Sequence, residues 1–230
     1  MNASLTAEQY DQGLRSYMLG IYNYMILGLL FSAGTAFFAE ASGFTQYMVS
    51  SPVLLIAIIL APFALIFAMA GAEAYSAATM FILYLVFTVV EGAMLSVVLL
   101  QYTGVSVLST LLAASGVFAG LSLYGYTTKR QLGGMGTALL GALFGLLVLM
   151  IIEIITKSPT LHFIVGAVGV LLFAVLIAYD TQKLKDAYAT RAFVHGSQSK
   201  AMIWGALDLY LDFLNMFLFL LRFLGVSKND

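Results

Sequence analysis

The stretch "WGALDLYLDFLNMFLFLLRFLG", residues 204–225, is long and apolar enough to cross a bilayer, yet it carries Asp208, Asp212 and Asn215. About 20 apolar residues span the hydrocarbon core of roughly 30 Å. A carboxylate at the centre of that core costs about 2.5–3.5 kcal/mol even on the lenient insertion scale. At about 100° per residue, Gly205, Asp208, Asp212, Asn215 and Arg222 fall on one side of such a helix, with most Leu and Phe elsewhere. The rise from Ala201 to Asp212 is about 16 Å, which puts this acid near the midplane. A polar stripe at that depth faces protein or water and suggests a lined cavity, a proton relay or an ion path. The plainer alternative is a protonated Asp bonded to a neighbouring helix, which suits a lone acid better than two stacked acids and an Asn.

The rest of the chain supplies the setting. Of its 230 residues 62% are hydrophobic and 9% charged, against roughly 45–50% apolar in soluble domains, and the mean hydropathy is +0.99. Cutting at Pro, Gly, Ser and charged clusters yields seven spans, roughly 18–39, 52–71, 76–100, 105–126, 134–155, 160–180 and 201–224. Open strands cannot cross lipid with unpaired backbone groups, so the expected fold is all-α: a polytopic membrane protein with seven transmembrane helices. The expected organisation is a polar N-terminal tail at 1–17, one bundle at 18–225 and a short tail at 226–230. The first tail lacks a basic n-region, so the first span reads as an anchor that stays in the protein.

With the N-terminus inside, the inner segments collect Arg15, Lys129, Arg130, Lys183, Lys185, Arg191 and Lys200, and the outer ones Lys157, Arg222 and Lys228. The positive-inside rule then predicts a cytoplasmic N-terminus, a C-terminus on the opposite side and a long cytoplasmic loop "TQKLKDAYATRAFVHGSQSK" before the last span. Three spans lie on each side of the "QYTG" turn, which permits two triplets around the last helix. Gly116, Gly120, Gly141 and Gly145 have the small-residue spacing that lets helices approach closely.

The formal net charge of −1 excludes a broad basic surface for nucleic acid. Cys is absent, which removes thiolate metal sites and cysteine nucleophiles. His162 and His195 have no second His at metal-ligand spacing, so no metal centre and no cofactor are expected.

Other acids compete with the stripe. In "IAYDTQKLKD", Asp180 either pairs with Lys183 at i+3 or reaches the last helix, and spacing leaves both open. Glu91, followed by Gly92 that leaves room beside it, lies about 22 Å into the third span. Glu153 is expected to pair with Lys157 at i+4 near the end of the fifth span. Glu40 and Glu73 read as loop residues.

At these residues the sequence resembles the Bax inhibitor-1, or transmembrane Bax inhibitor motif, family. The resemblance lies in "YDTQ" closing the penultimate span, "LYLDFLNMFLFLLRFLG" as the last, and "EG" in the third, and it extends over essentially the whole chain. It implies a central last helix surrounded by two three-helix groups, a bacterial inner-membrane location and a pH-sensitive calcium leak. It also implies a proton-sharing gate of Asp180 and Asp212, with calcium held there only transiently. Asp208, Asn215 and Glu91 are candidates for the remaining ion path. Some bacterial relatives latch the first aspartate with an Arg at the end of the second span. Here that stretch is "AMAGAEAYS", so Lys183 or Lys129 is expected as the closed-state partner. The resemblance also suggests an alternative, a membrane interaction protein acting on a quality-control protease.

The chemistry of such a pair is general. Two carboxylates close together in low dielectric cannot both ionise cheaply, so they share a proton; ionised, they repel and offer oxygen ligands to a hard dication. An intramembrane aspartyl protease also uses two acids, but its "GxGD" and "PAL" contexts are missing, so an enzyme is not expected. A retinal-type photoreceptor needs a Lys inside its last helix, and residues 201–224 contain none.

Overall fold

The computed structural model describes residues 7–71, 75–190 and 197–228. Seven long helices account for most of them: α1 (Ala7–Ala41), α3 (Pro52–Ala70), α4 (Ala77–Leu99), α5 (Gly104–Thr127), α6 (Gly136–Thr156), α7 (Pro159–Thr190) and α8 (Gln198–Leu224). A short α2 (Phe44–Ser50) follows α1, a 3₁₀ turn precedes α6, and the described residues contain no strand. Six of the long helices are apolar and long enough to cross a membrane. The seventh, α8, has 27 residues, or about 40 Å of helix, which is also enough. Phe37, Val53, Phe67, Val105 and Ile155 are 73–82% exposed. A water-facing surface seldom tolerates so much apolar area; lipid-facing helices require it. The fold is thus that of an all-α polytopic membrane protein.

Several boundaries differ from expectation. Helix α1 begins at Ala7, well before the apolar run, and it keeps Glu40 in its last turn, so that residue does not lie in a loop. The stretch read as a long loop is mostly helix: α7 continues to Thr190 and α8 begins at Gln198. Its polar residues continue the register of α7 because their side chains find partners there, as described below. Glu73, Arg191 and His195 lie outside the described residues.

The chain forms two compact units, Met1–Gln101 with Ala187–Tyr210, and Tyr102–Asp186 with Leu211–Asp230. In the first, α1 packs along α4, and α4 also packs on α3. Gly92 permits the first contact, since a Cβ there would lie 2.5 Å from the Ser32 carbonyl oxygen. The space beside Glu91 is therefore filled by the α1 backbone. Ser32 Oγ donates to the Thr88 carbonyl at 2.7 Å, and Tyr84 donates to the Tyr24 carbonyl at 3.0 Å. Tyr210, from the first half of α8, meets Ser32 Oγ at 2.7 Å and lies edge-on to Tyr84 and Phe87.

In the second unit, α5 begins at Thr103, whose side chain accepts from Ser106 N. The segment after α8 is tied to that start: Thr103 N donates to Val226 O at 3.1 Å, and Val226 N to Ser106 Oγ at 2.8 Å. Gly125 brings α5 against the backbone of Ala178 on α7, and Gly169 receives the ring of Phe219 from α8. The glycines singled out by spacing do neither. A Cβ at Gly116, Gly120, Gly141 or Gly145 would meet nothing within 4 Å.

Candidate functional site

Asp180 lies inside α7, 9% exposed, and not at a helix end. The residues after it explain why the helix continues. Thr181 and Ser122 on α5 hydrogen-bond at 3.1 Å. Gln182 accepts from Leu132 N at 2.6 Å and donates to Arg130 O at 2.8 Å, gripping the α5–α6 connection. Lys185 donates to Tyr126 O at 2.7 Å with its ammonium 5.5 Å from the Tyr126 ring centre. Lys183 turns back to donate to Asp180 Oδ1 at 3.2 Å, and its side chain is 54% exposed. The "DTQKLK" run is thus a set of clamps from α7 onto α5 and the loop beyond it.

Asp212 lies in the second half of α8 and is 6% exposed. Its neighbour Phe213 packs edge-on against Phe118 of α5, with ring centres 5.7 Å apart. Phe118 and Ser122 are one turn apart on the same helix, so residues adjoining the two acids grip successive turns of α5. Both acids belong to the second unit. They are buried carboxylates on two helices whose adjoining residues contact adjacent turns of α5.

The remaining stripe residues separate. Asp208, half-buried, belongs to the first unit, within electrostatic reach of Tyr17. Asn215 belongs to the second unit, and its amide donates to Leu211 O of its own helix at 2.8 Å. Glu91, also half-buried, is in the first unit, within electrostatic reach of Tyr210. Along α8 half-buried positions recur at Trp204, Asp208, Leu211, Asn215, Leu218 and Arg222, with Lys200, Met202 and Leu220 also half-buried, while Asp212 is buried. Lys129 is exposed and makes no hydrogen bond or ion pair to Asp180 or Asp212 among the described residues.

Glu153 does not pair with Lys157. Lys157 leaves the helix in a left-handed conformation at φ 49°, so the i+4 geometry that would join them is absent. Glu153 instead bonds Arg222, 69 positions away, and His162 at 2.8 Å. Sequence reasoning also missed the buried hydroxyls of Ser32, Thr88, Tyr84 and Tyr210. The local signal for them is weak, because a Ser or Tyr in an apolar helix reveals its need for a partner and not the partner's identity.

Among the described residues no group of three or more His, Cys, Asp or Glu is placed to hold a metal ion. Two carboxylates fall short of the six to eight oxygens that a resident calcium takes, so any cation meeting Asp180 and Asp212 would keep most of its water.

Residues 14–229 match the family model described as inhibitor of apoptosis-promoting Bax1. An uncharacterized protein of Caulobacter vibrioides is 39% identical over 95% of this chain and 92% of its own. The inner membrane protein YbhL of Escherichia coli K12 is 38% identical over 93% of this chain and 92% of its own. An uncharacterized protein of Rickettsia prowazekii is 37% identical over 96% of this chain and 93% of its own.

Proposed function

The chain belongs to the Bax inhibitor-1 family, and we propose that it is a pH-sensitive cation leak of the bacterial inner membrane, gated by Asp180 and Asp212, with calcium as the ion. The observation that carries the reading is the burial of both carboxylates in one unit, beside residues that hold successive turns of α5. A relative named as an inner membrane protein supports the location, and the excess of Lys and Arg on inner segments supports a cytoplasmic N-terminus.

In this mechanism a proton shared by the two acids makes a hydrogen bond that holds α7 to α8. Loss of the proton replaces that bond with repulsion, about 4 kcal/mol for two unit charges 4 Å apart at an effective dielectric near 20. The separated carboxylates then offer oxygens to a partly hydrated dication. Lys183, 3.2 Å from Asp180, takes the place of the Arg that the second span lacks and steadies the closed arrangement. Asp208, Asn215 and Glu91 are the further oxygens proposed for the path.

The sign follows from the proton: flux should rise as increasing pH removes it. Purified protein in sealed liposomes, loaded with a calcium dye, tests this. Asp180→Asn and Asp212→Asn should each flatten the pH dependence, and retention of the wild-type profile by both variants would refute the gate. If no ion passes at any pH while a membrane protease co-purifies from native membranes, the chain acts through that partner instead.

A further inference from the structure

At the opposite end of α7 from Asp180, three helices of the second unit bring together one acid, one imidazole and one guanidinium. Arg222, in the last turn of α8, bonds Glu153 near the end of α6. His162, in the first turn of α7, has Nδ1 2.8 Å from Glu153 Oε1. Arg222 Nε donates to His162 Nε2 at 3.2 Å, and Arg222 Nη2 lies 2.6 Å from His162 Nδ1. The Glu153 and Arg222 side chains are 14% and 17% exposed, whereas that of His162 is 53% exposed. His162 lies in the first turn of α7, next to the Lys157–Ser158 turn, at the end of the span where polar residues mark the membrane–water boundary.

The hydrogen-bond inventory selects one state of this ring. A neutral imidazole has one donor and one acceptor. With Nδ1–H given to Glu153, the lone pair of Nε2 accepts from Arg222 Nε, and Arg222 Nη2, 2.6 Å from Nδ1, is a second donor converging on the same Glu153 oxygen and not a partner of the ring. A protonated imidazole has two donors and no acceptor, so its Nε2–H would face the N–H of Arg222, and two cations would compete for one carboxylate. Histidine is the side chain whose ordinary charge change falls between pH 5 and 8. The other charged residues in the segments that meet here are Lys157, exposed in the α6–α7 turn, and Lys228; lysine is not a type that titrates in this window.

We propose that Glu153, His162 and Arg222 form a proton-responsive clasp on the end of α8, closed when His162 is neutral and loosened when it is protonated. The clasp lies about 27 Å along α7 from Asp180, so it does not rest on the carboxylate pair or on calcium flux. Its sense is also opposite to that of the pair, since acid loosens it.

The chain contains no Cys, which permits a direct distance measurement. Spin labels at Ile155→Cys and Val226→Cys, both exposed positions, report the separation of the α6 and α8 ends in liposomes. The expected result is a longer or broader distance distribution at pH 5 than at pH 8. His162→Gln, which stays neutral while still donating and accepting, should give the closed distribution at both values, and Arg222→Gln the loosened one at both. A pH shift that survives His162→Gln, or is missing without that substitution, would overturn the clasp. A shift abolished by Asp212→Asn would do the same by assigning the motion to the acids. Because the readout is distance and not flux, failure of the clasp and failure of the leak are separable.

Discussion

Gly125→Ala tests the packing that sets the level of Asp180. A Cβ at Gly125 would overlap the Ala178 carbonyl oxygen and lie 3.0 Å from Ala178 Cα, where ordinary contact begins at 3.4 Å. Both are backbone atoms of α7, so no side chain can swing away to make room. The helices must part by something on the order of 1 Å in a close-packed region. That takes the Ser122 to Thr181 hydrogen bond, now 3.1 Å, beyond reach. Overpacking costs about 1–3 kcal/mol, and a side-chain hydrogen bond within a membrane contributes about 0.6 kcal/mol on average. Replacing a helical Gly by Ala returns about 1 kcal/mol. The net loss is about 2 kcal/mol, or roughly 4–8 °C in unfolding temperature for a protein of this size. Thermal unfolding in detergent, followed by fluorescence of the single Trp, measures it. Gly120→Ala on the same helix is the control: its Cβ meets nothing within 4 Å, so it should unfold at the same temperature or slightly higher. Equal behaviour of the two variants would refute the claim that Gly125 is where α5 and α7 touch.

Two further substitutions examine the clamps around Asp180. Gln182→Ala removes the bonds to Leu132 N and Arg130 O, each contributing about 1 kcal/mol, so trypsin should cut after Lys129 and Arg130 about tenfold faster or more; an unchanged cleavage rate would show that Gln182 does not hold this loop. Lys183→Met keeps the aliphatic stem and removes the charge 3.2 Å from Asp180. Because the ammonium is half exposed, a contribution of about 0.2–0.5 kcal/mol makes the expected rise in leak at neutral pH at most about twofold, and high salt should erase the difference; no change at low salt would remove Lys183 from the closed state.

Legibility in the sequence followed the range of each interaction. Crossing a bilayer is a local property of some 20 consecutive residues, so the spans were readable; the pairing of Asp180 with Lys183 three positions on was one of two readings that spacing left open, and the structure contains that ion pair. The Glu153–Lys157 pairing fails on the same rule, because i+4 holds only while the helix continues and Lys157 leaves it. The glycine spacing fails for a different reason: small residues permit a close approach without supplying a partner. Gly125, which stands in no such spacing, and Gly92, which was noted for the room it leaves beside Glu91, are the ones with another helix's backbone against them.

By itself, the sequence determined that this chain is a bundle of membrane-crossing helices, that the last helix carries two expensive carboxylates, and which family motifs surround them. Those outcomes depend on composition, apolar length and spacing along one helix. Only the tertiary structure decided that Asp180 lies within α7 and that its neighbours clamp α5. It also decided that Asp208 and Asp212 belong to different units and that Arg222 bonds Glu153 and His162. Helix faces are readable from a repeat of 3.6 residues, but which face meets which depends on backbone approach and on hydrogen bonds between residues tens of positions apart, and no local pattern encodes those partners.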